Sequence, residues 1–264
     1  GNHDNETFCQ TLRLAIGMGT GEPPTHGALR QRGRLHLLTN PTFFQLPSAQ
    51  GQLVQFVALP YPRPDRYLRE ESMQRLQSRE ERNRHVALAY TEQLALIQEH
   101  PAFDVRLRTV LAAHVHVHGG ELSTRFQASE REEVIYADRD LPTGWDYVGL
   151  GHIHRAQPVR GLDHVRYCGS LERLDLGEKE DQKGVVLVEL GLEGLVQAPR
   201  TIALPATPIY EVMLDDAAAE LPRLRERFPD AATALVKLRL RYQAGRDDLL
   251  QILRGLDEVF PRCY

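Results

Sequence analysis

The segment "WDYVGLGHIHRAQ" (Trp145–Gln157) decides how the rest of the chain is read. "WDYVGLGH" (145–152) reads as a buried-type strand that runs into glycine and histidine, and His152 and His154 then fall on a strand-end loop. In α/β sheets, strand ends of this kind are where sites are built. Two imidazoles two residues apart can reach one metal ion or two neighbouring ones. The segment alone leaves open a pair of exposed turn histidines.

Working back along the chain, "RTVLAAH" (108–114) is a second buried-type strand, and it runs directly into "HVHVH" (114–118). Alternation with valine places His114, His116 and His118 on one strand face if the strand continues. Gly119-Gly120 breaks it soon afterwards. His114 is therefore the best-placed ligand, and His116 and His118 read as its neighbours. The chain begins "GNHD" (Gly1–Asp4). The Asn2 amide can ligate a metal, the His3 imidazole can move a proton, and the Asp4 carboxylate can orient that imidazole. Without context such a tetrapeptide is an ordinary frayed end. Six of the eleven histidines fall in these three clusters, and a fourth cluster, "YCGS" (Tyr167–Ser170), starts fifteen residues beyond His152.

The order "GNHD", then a histidine after an apolar strand, then "GHIH", resembles the metal-binding motifs of calcineurin-like metallophosphoesterases. The stretch "GHIHRAQ…HVRYCGSLERLDLGE" (151–178) more narrowly resembles the SbcD-like nucleases of DNA-break repair. The likeness runs from residue 1 to about residue 190, and the tail is similar to that family's capping domain. The resemblance implies two divalent metal ions, most often manganese. It places Asn2, His114 and His152 at the second metal and His154 at the first. It gives His3 the role of protonating or stabilising the leaving group, with Asp4 holding His3. It assigns no ligand role to His116 or His118. It further implies cleavage of DNA phosphodiesters, as double-strand exonuclease and as single-strand or hairpin endonuclease, in repair and recombination. The implied partners are an SbcC-type ATPase, DNA, and a second copy of the chain, as a homodimer within a heterotetramer.

The family pattern also carries Asp-x-His and Gly-Asp motifs ahead of Asn-His-Asp, whereas this sequence starts at Gly1. It ends at Tyr264, where a capping domain would continue into another strand. The expectation is a fragment that supplies only His154 to the first metal, and that is inactive by itself.

Composition sets the outer bounds. The 264 residues are 42% hydrophobic and 26% charged with a formal net charge of -4, which excludes bulk disorder and gives no general signal for nucleic acid. No run of 18 apolar residues occurs. Cys9, Cys168 and Cys263 are far apart and odd in number, which favours reduced thiols and a cytoplasmic setting. Lysine occurs only at positions 179, 183 and 237, so arginine carries nearly all positive charge. Arg155 and Arg173 flank the site motifs.

Further strands are predicted at 34–40, 52–60, 164–170, 184–190 and 195–204, and a helical pattern from Tyr67 to Glu99. "YPRPD" (61–65) reads as a proline-punctuated connector. After "PATP" (205–208) the pattern becomes strand 209–214, helix Ala217–Phe228, strand 234–242 and helix Asp247–Phe260. The expected architecture is a two-sheet α/β metallophosphoesterase sandwich flanked by helices over residues 1–204, followed by a small α/β cap over 205–264. Two rival functions stand beside the nuclease: a phosphoesterase acting on nucleotides or phosphoproteins, and a non-catalytic subunit that binds DNA and the ATPase.

Overall fold

The computed structural model describes residues 4–5, 7–12, 37–68, 78–118, 120–121, 135–136, 144–159 and 161–263. The fold is α/β, with several sheets flanked by helices. The chain divides into two compact units. The first comprises Gly1–Gly169 with Val185–Ile202, and the second Ser170–Gly184 with Ala203–Tyr264.

The first unit is organised by a six-stranded sheet. Its strands are β1 (Thr42–Pro47), β2 (Leu53–Leu59), β3 (Arg108–His114), β6 (Tyr147–Gly151), β7 (Gln157–Val159) and β8 (Leu162–Tyr167), in the order β1-β2-β3-β6-β8-β7. β2, β3, β6 and β8 run parallel, with β1 and β7 antiparallel at the two edges. The short strands β4 (His116–Val117) and β5 (Ile135–Tyr136) pair separately. The expected strand at 34–40 is not observed over its described part, which is irregular. The strand begins two residues later, because Phe43 and Phe44 are the side chains the sheet can bury there.

The helix Arg79–Gln98 covers the sheet. Ser78 starts it with a capping box, accepting from Glu81 N while the Glu81 side chain accepts from Ser78 N. Val86, Tyr90, Leu94 and Ile97 recur at helical spacing, and these are its buried residues. They join Val57, Leu59, Leu111, Val148 and Leu150 in one core. Within the segments expected as strands at 184–190 and 195–204, β9 (Gly184–Leu187) pairs with β12 (Arg200–Ala203), and a small hairpin, β10 (Leu190–Gly191) with β11 (Gly194–Leu195), sits between them.

In the second unit β13 (Ile209–Leu214) and β14 (Leu235–Leu240) pair in parallel, which a helical crossover makes possible. The expected helix Ala217–Phe228 is broken into Ala217–Glu220, a 3-10 turn Leu221–Arg223, and Leu224–Arg227. Pro222, which lacks an N–H, enforces the break. The helix Leu249–Val259 is capped by Asp248, which accepts from Gln251 N.

Candidate metal centre

The parallel strands bring four carboxyl ends to one edge of the sheet, where open α/β sheets place ligands. β3 ends at His114, directly opposite Gly151 at the end of β6. A Cβ on Gly151 would lie 2.8 Å from His114 Nδ1, so the missing side chain is what admits the ring. The next residue, His152, has φ of 95°, a conformation non-glycine residues seldom adopt. Strained backbone of this kind concentrates at functional sites. The His114 and His152 ring centroids stand 5.5 Å apart at 72°.

His114 is half-buried, and burial pushes its pKa down to about 4. The charges of His152 and His154 act in the same direction, and that of Asp4 opposes them. The imidazole is therefore neutral near pH 7, the form that ligates metals. Asp4 itself is exposed, and its carboxylate acts on His114 as that opposing charge. Asn2 and His3 lie outside the described residues.

β3 does not continue through "HVHVH". It stops at His114, and β4 starts at His116. The single strand that would have aligned the three histidines is therefore interrupted after His114. His116 is 4% exposed, with its ring 6.0 Å from that of His152, whereas His118 is exposed. The hydroxyl of Tyr167 fixes this segment. It donates to the Val115 carbonyl at 3.2 Å and accepts from Val117 N at 2.7 Å, one bond on each side of His116.

The link between "YCGS" and "GHIHRAQ" is now physical. Gly169 has φ of 77°, and a Cβ there would lie 2.8 Å from Ala156 N and 3.0 Å from the His154 carbonyl. The glycine lies directly against the histidine loop. Ile153, between the two histidines, is 3% exposed, and a Cβ on Gly120 would lie 2.5 Å from its Cδ1. Gln157 closes the loop, accepting from Glu121 N and donating to the Glu121 carbonyl, each at 2.8 Å.

Of the flanking arginines, Arg155 forms an exposed ion pair with Glu121 at 3.1 Å. In the second unit Arg173 donates to the carbonyls of Asp181 and Thr207. Its guanidinium serves the fold there.

Sequence reading missed Tyr61. Its ring lies 6.0 Å from His114 and 5.8 Å from His152. The proline-rich connector carried no sign of this, because the neighbour that matters comes from strands more than fifty residues away.

The donor chemistry suits a divalent metal in part. Two converging imidazoles, one of them held neutral, are borderline ligands of the type that zinc, iron and manganese accept. Among the described residues no group of three or more His, Cys, Asp or Glu stands in a metal-holding arrangement. Nor, among them, is any helix long and apolar enough to cross a membrane.

No family model matches the chain. It is 38% identical over 81 residues to the SbcD component of the nuclease SbcCD of Escherichia coli strain K12, covering 31% of this chain and 20% of that one. The same protein from Escherichia coli O157:H7 matches equally. The SbcD component of the nuclease SbcCD of Bacillus subtilis strain 168 is 29% identical over 214 residues, covering 72% of this chain and 45% of that one. The chain thus spans less than half the length of these relatives, and over those partial stretches it is similar to SbcD nuclease subunits.

Proposed function

We propose that this chain belongs to a metal-dependent DNA nuclease of the SbcD type, acting with an SbcC-type ATPase in repair and recombination. The observation that supports this most is the meeting of His114 and His152 at the carboxyl edge of the sheet, backed by Tyr167 and Gly169 of "YCGS". The partial similarity to the SbcD component of the nuclease SbcCD points the same way.

In this reading His114 and His152, with Asn2, hold one divalent ion, and His154 contributes to a second. Two such ions, manganese by preference, would supply acidification of the attacking water and neutralisation of phosphate charge. The water, having released one proton to solvent, forms the new phosphorus–oxygen bond as the bond to the leaving oxygen breaks. His3 gives that oxygen its proton, and Asp4 orients His3. Gly151 lets the two ligating rings approach. The same reading makes the working assembly a dimer of the nuclease component with the ATPase on DNA, in the cytoplasm.

The test is the full-length protein with manganese, assayed on duplex DNA and on a generic phosphate ester. Cleavage of DNA is expected. Activity on the ester alone would favour a general phosphoesterase, and inactivity on both with DNA binding retained would favour a non-catalytic subunit. His152→Ala should lose metal, measured by calorimetry, together with activity. His3→Ala should lose cleavage while keeping metal.

A further inference from the structure

The segment "LPYPRPDRY" (59–67) leaves β2 at the carboxyl edge of the sheet, and its construction is unusually rigid for a connector. Tyr61 stands between Pro60 and Pro62, whose rings fix their own φ and restrict the residue before them. The Tyr61 carbonyl accepts from Arg63 N and from Arg66 Nη1, each at 2.9 Å. The Tyr67 hydroxyl donates to the Pro60 carbonyl at 3.2 Å, and Tyr67 in turn packs on Tyr90 of the long helix, with ring centroids 5.4 Å apart. Pro62 is buried. Backbone and flanks of Tyr61 are therefore held from several sides, and the ring has a fixed base.

That ring meets two others. It is edge-on to His114 at 77° and tilted by 31° against His152. His114 and His152 are themselves 5.5 Å apart, so the three rings close a triangle with sides of 5.5 to 6.0 Å. His152 needs such support. Its backbone is at φ of 95°, and a residue in that region keeps its conformation only when its surroundings over-determine it. An imidazole that binds metal also needs its ring plane set by its neighbours.

We infer that Tyr61 is a positioning residue, whose ring sets the orientation of the His114 and His152 imidazoles for metal. This inference rests on the proposed metal-dependent reading and extends it to a residue with no ligating role. The planar ring is the working part, so Tyr61→Phe should keep it and Tyr61→Leu should lose it.

The experiment uses the full-length protein stripped with EDTA and titrated with manganese by calorimetry, and with cobalt(II) by visible absorption. Tyr61→Leu should weaken manganese binding about tenfold or more, the range seen when groups that orient metal ligands are removed. It should also change the cobalt ligand-field spectrum. Tyr61→Phe should restore both. The melting temperature of the stripped proteins controls for folding. A Tyr61→Leu variant with wild-type metal affinity and spectrum would overturn the inference, even if its DNA KM rose, since that outcome marks a substrate contact. If Tyr61→Leu fails to fold, Tyr61→Phe and Tyr61→Met decide. A folded Tyr61→Phe with weakened metal binding, or wild-type affinity in Tyr61→Met, overturns the inference, and wild-type affinity in Tyr61→Phe with weakened affinity in Tyr61→Met supports it. Wild-type protein that binds no metal would overturn the metal reading itself, and this inference with it.

Discussion

The hydroxyl of Tyr167 accepts a hydrogen bond from Val117 N at 2.7 Å, across fifty residues of sequence, inside the core of the first unit. With its second bond, to the Val115 carbonyl, it holds the backbone on both sides of His116. Tyr167 is 0% exposed, so neither backbone group has water to turn to if the hydroxyl is removed. Tyr167→Phe should destabilise the protein by about 1–3 kcal/mol, the cost of stranding buried polar groups. Urea unfolding measures it, and a change below about 0.5 kcal/mol would show that the segment finds other partners.

Two glycines at the site should fail in different ways. A Cβ at Gly169 meets backbone and sits at φ of 77°, so nothing flexible can yield. Gly169→Ala should lower stability by more than about 1 kcal/mol. A Cβ at Gly151 meets the His114 ring at 2.8 Å, and a side chain can swing away. Gly151→Ala should leave the melting temperature nearly unchanged and weaken manganese binding. The same loss of stability in both variants would contradict this division.

In the second unit Lys183 and Glu178 pair at 2.7 Å with side chains 1% exposed, and Lys183 also donates to Ser170 Oγ at 2.9 Å. Breaking a buried pair from one side leaves a bare charge. Lys183→Met should therefore cost about 3–5 kcal/mol. The double variant Lys183→Met/Glu178→Leu should recover most of that loss. Denaturant unfolding of the single and double variants checks the sign of the coupling, and equal losses in both would refute it.

Burial raises the pKa of the Cys168 thiol, against smaller opposing effects of the nearby Tyr147 hydroxyl and the charge of Arg166. The thiolate, which is the reactive form, is scarce at pH 8. Alkylation of Cys168 by iodoacetamide should be much slower than that of glutathione under the same conditions, followed by peptide mass spectrometry. A matching rate would show that the thiol is neither desolvated nor protected.

The α/β class, the strands ending in His114 and at Gly151, and the loop position of His152 and His154 were legible along the chain. Each depends on a local apolar run and the glycine or histidine that closes it. The helix Arg79–Gln98 was legible in part: Val86, Leu94 and Ile97 of the pattern from Tyr67 to Glu99 are buried, but Leu88 of the same pattern is exposed, Tyr90 is buried without being part of it, and Tyr67 ends a separate short helix, Pro64–Tyr67. Pro222 is visible in the sequence, yet the apolar pattern on both sides of it, 217–228, has the period of one continuous helix.

The available chemistry and its position at strand ends follow from local pattern along the chain, because hydrophobic period and turn residues act over a few neighbours. Which groups meet was decided by the tertiary structure alone. The register of β3 against β6 sets His114 opposite Gly151 and lets the ring in. Tyr167 ends the strand face that "HVHVH" suggested, by bonding around His116. The base of prolines and arginines aims Tyr61 at two histidines it is nowhere near in sequence. These contacts join residues some forty to ninety positions apart, where no local pattern carries information and only the parallel pairing of strands brings the side chains together.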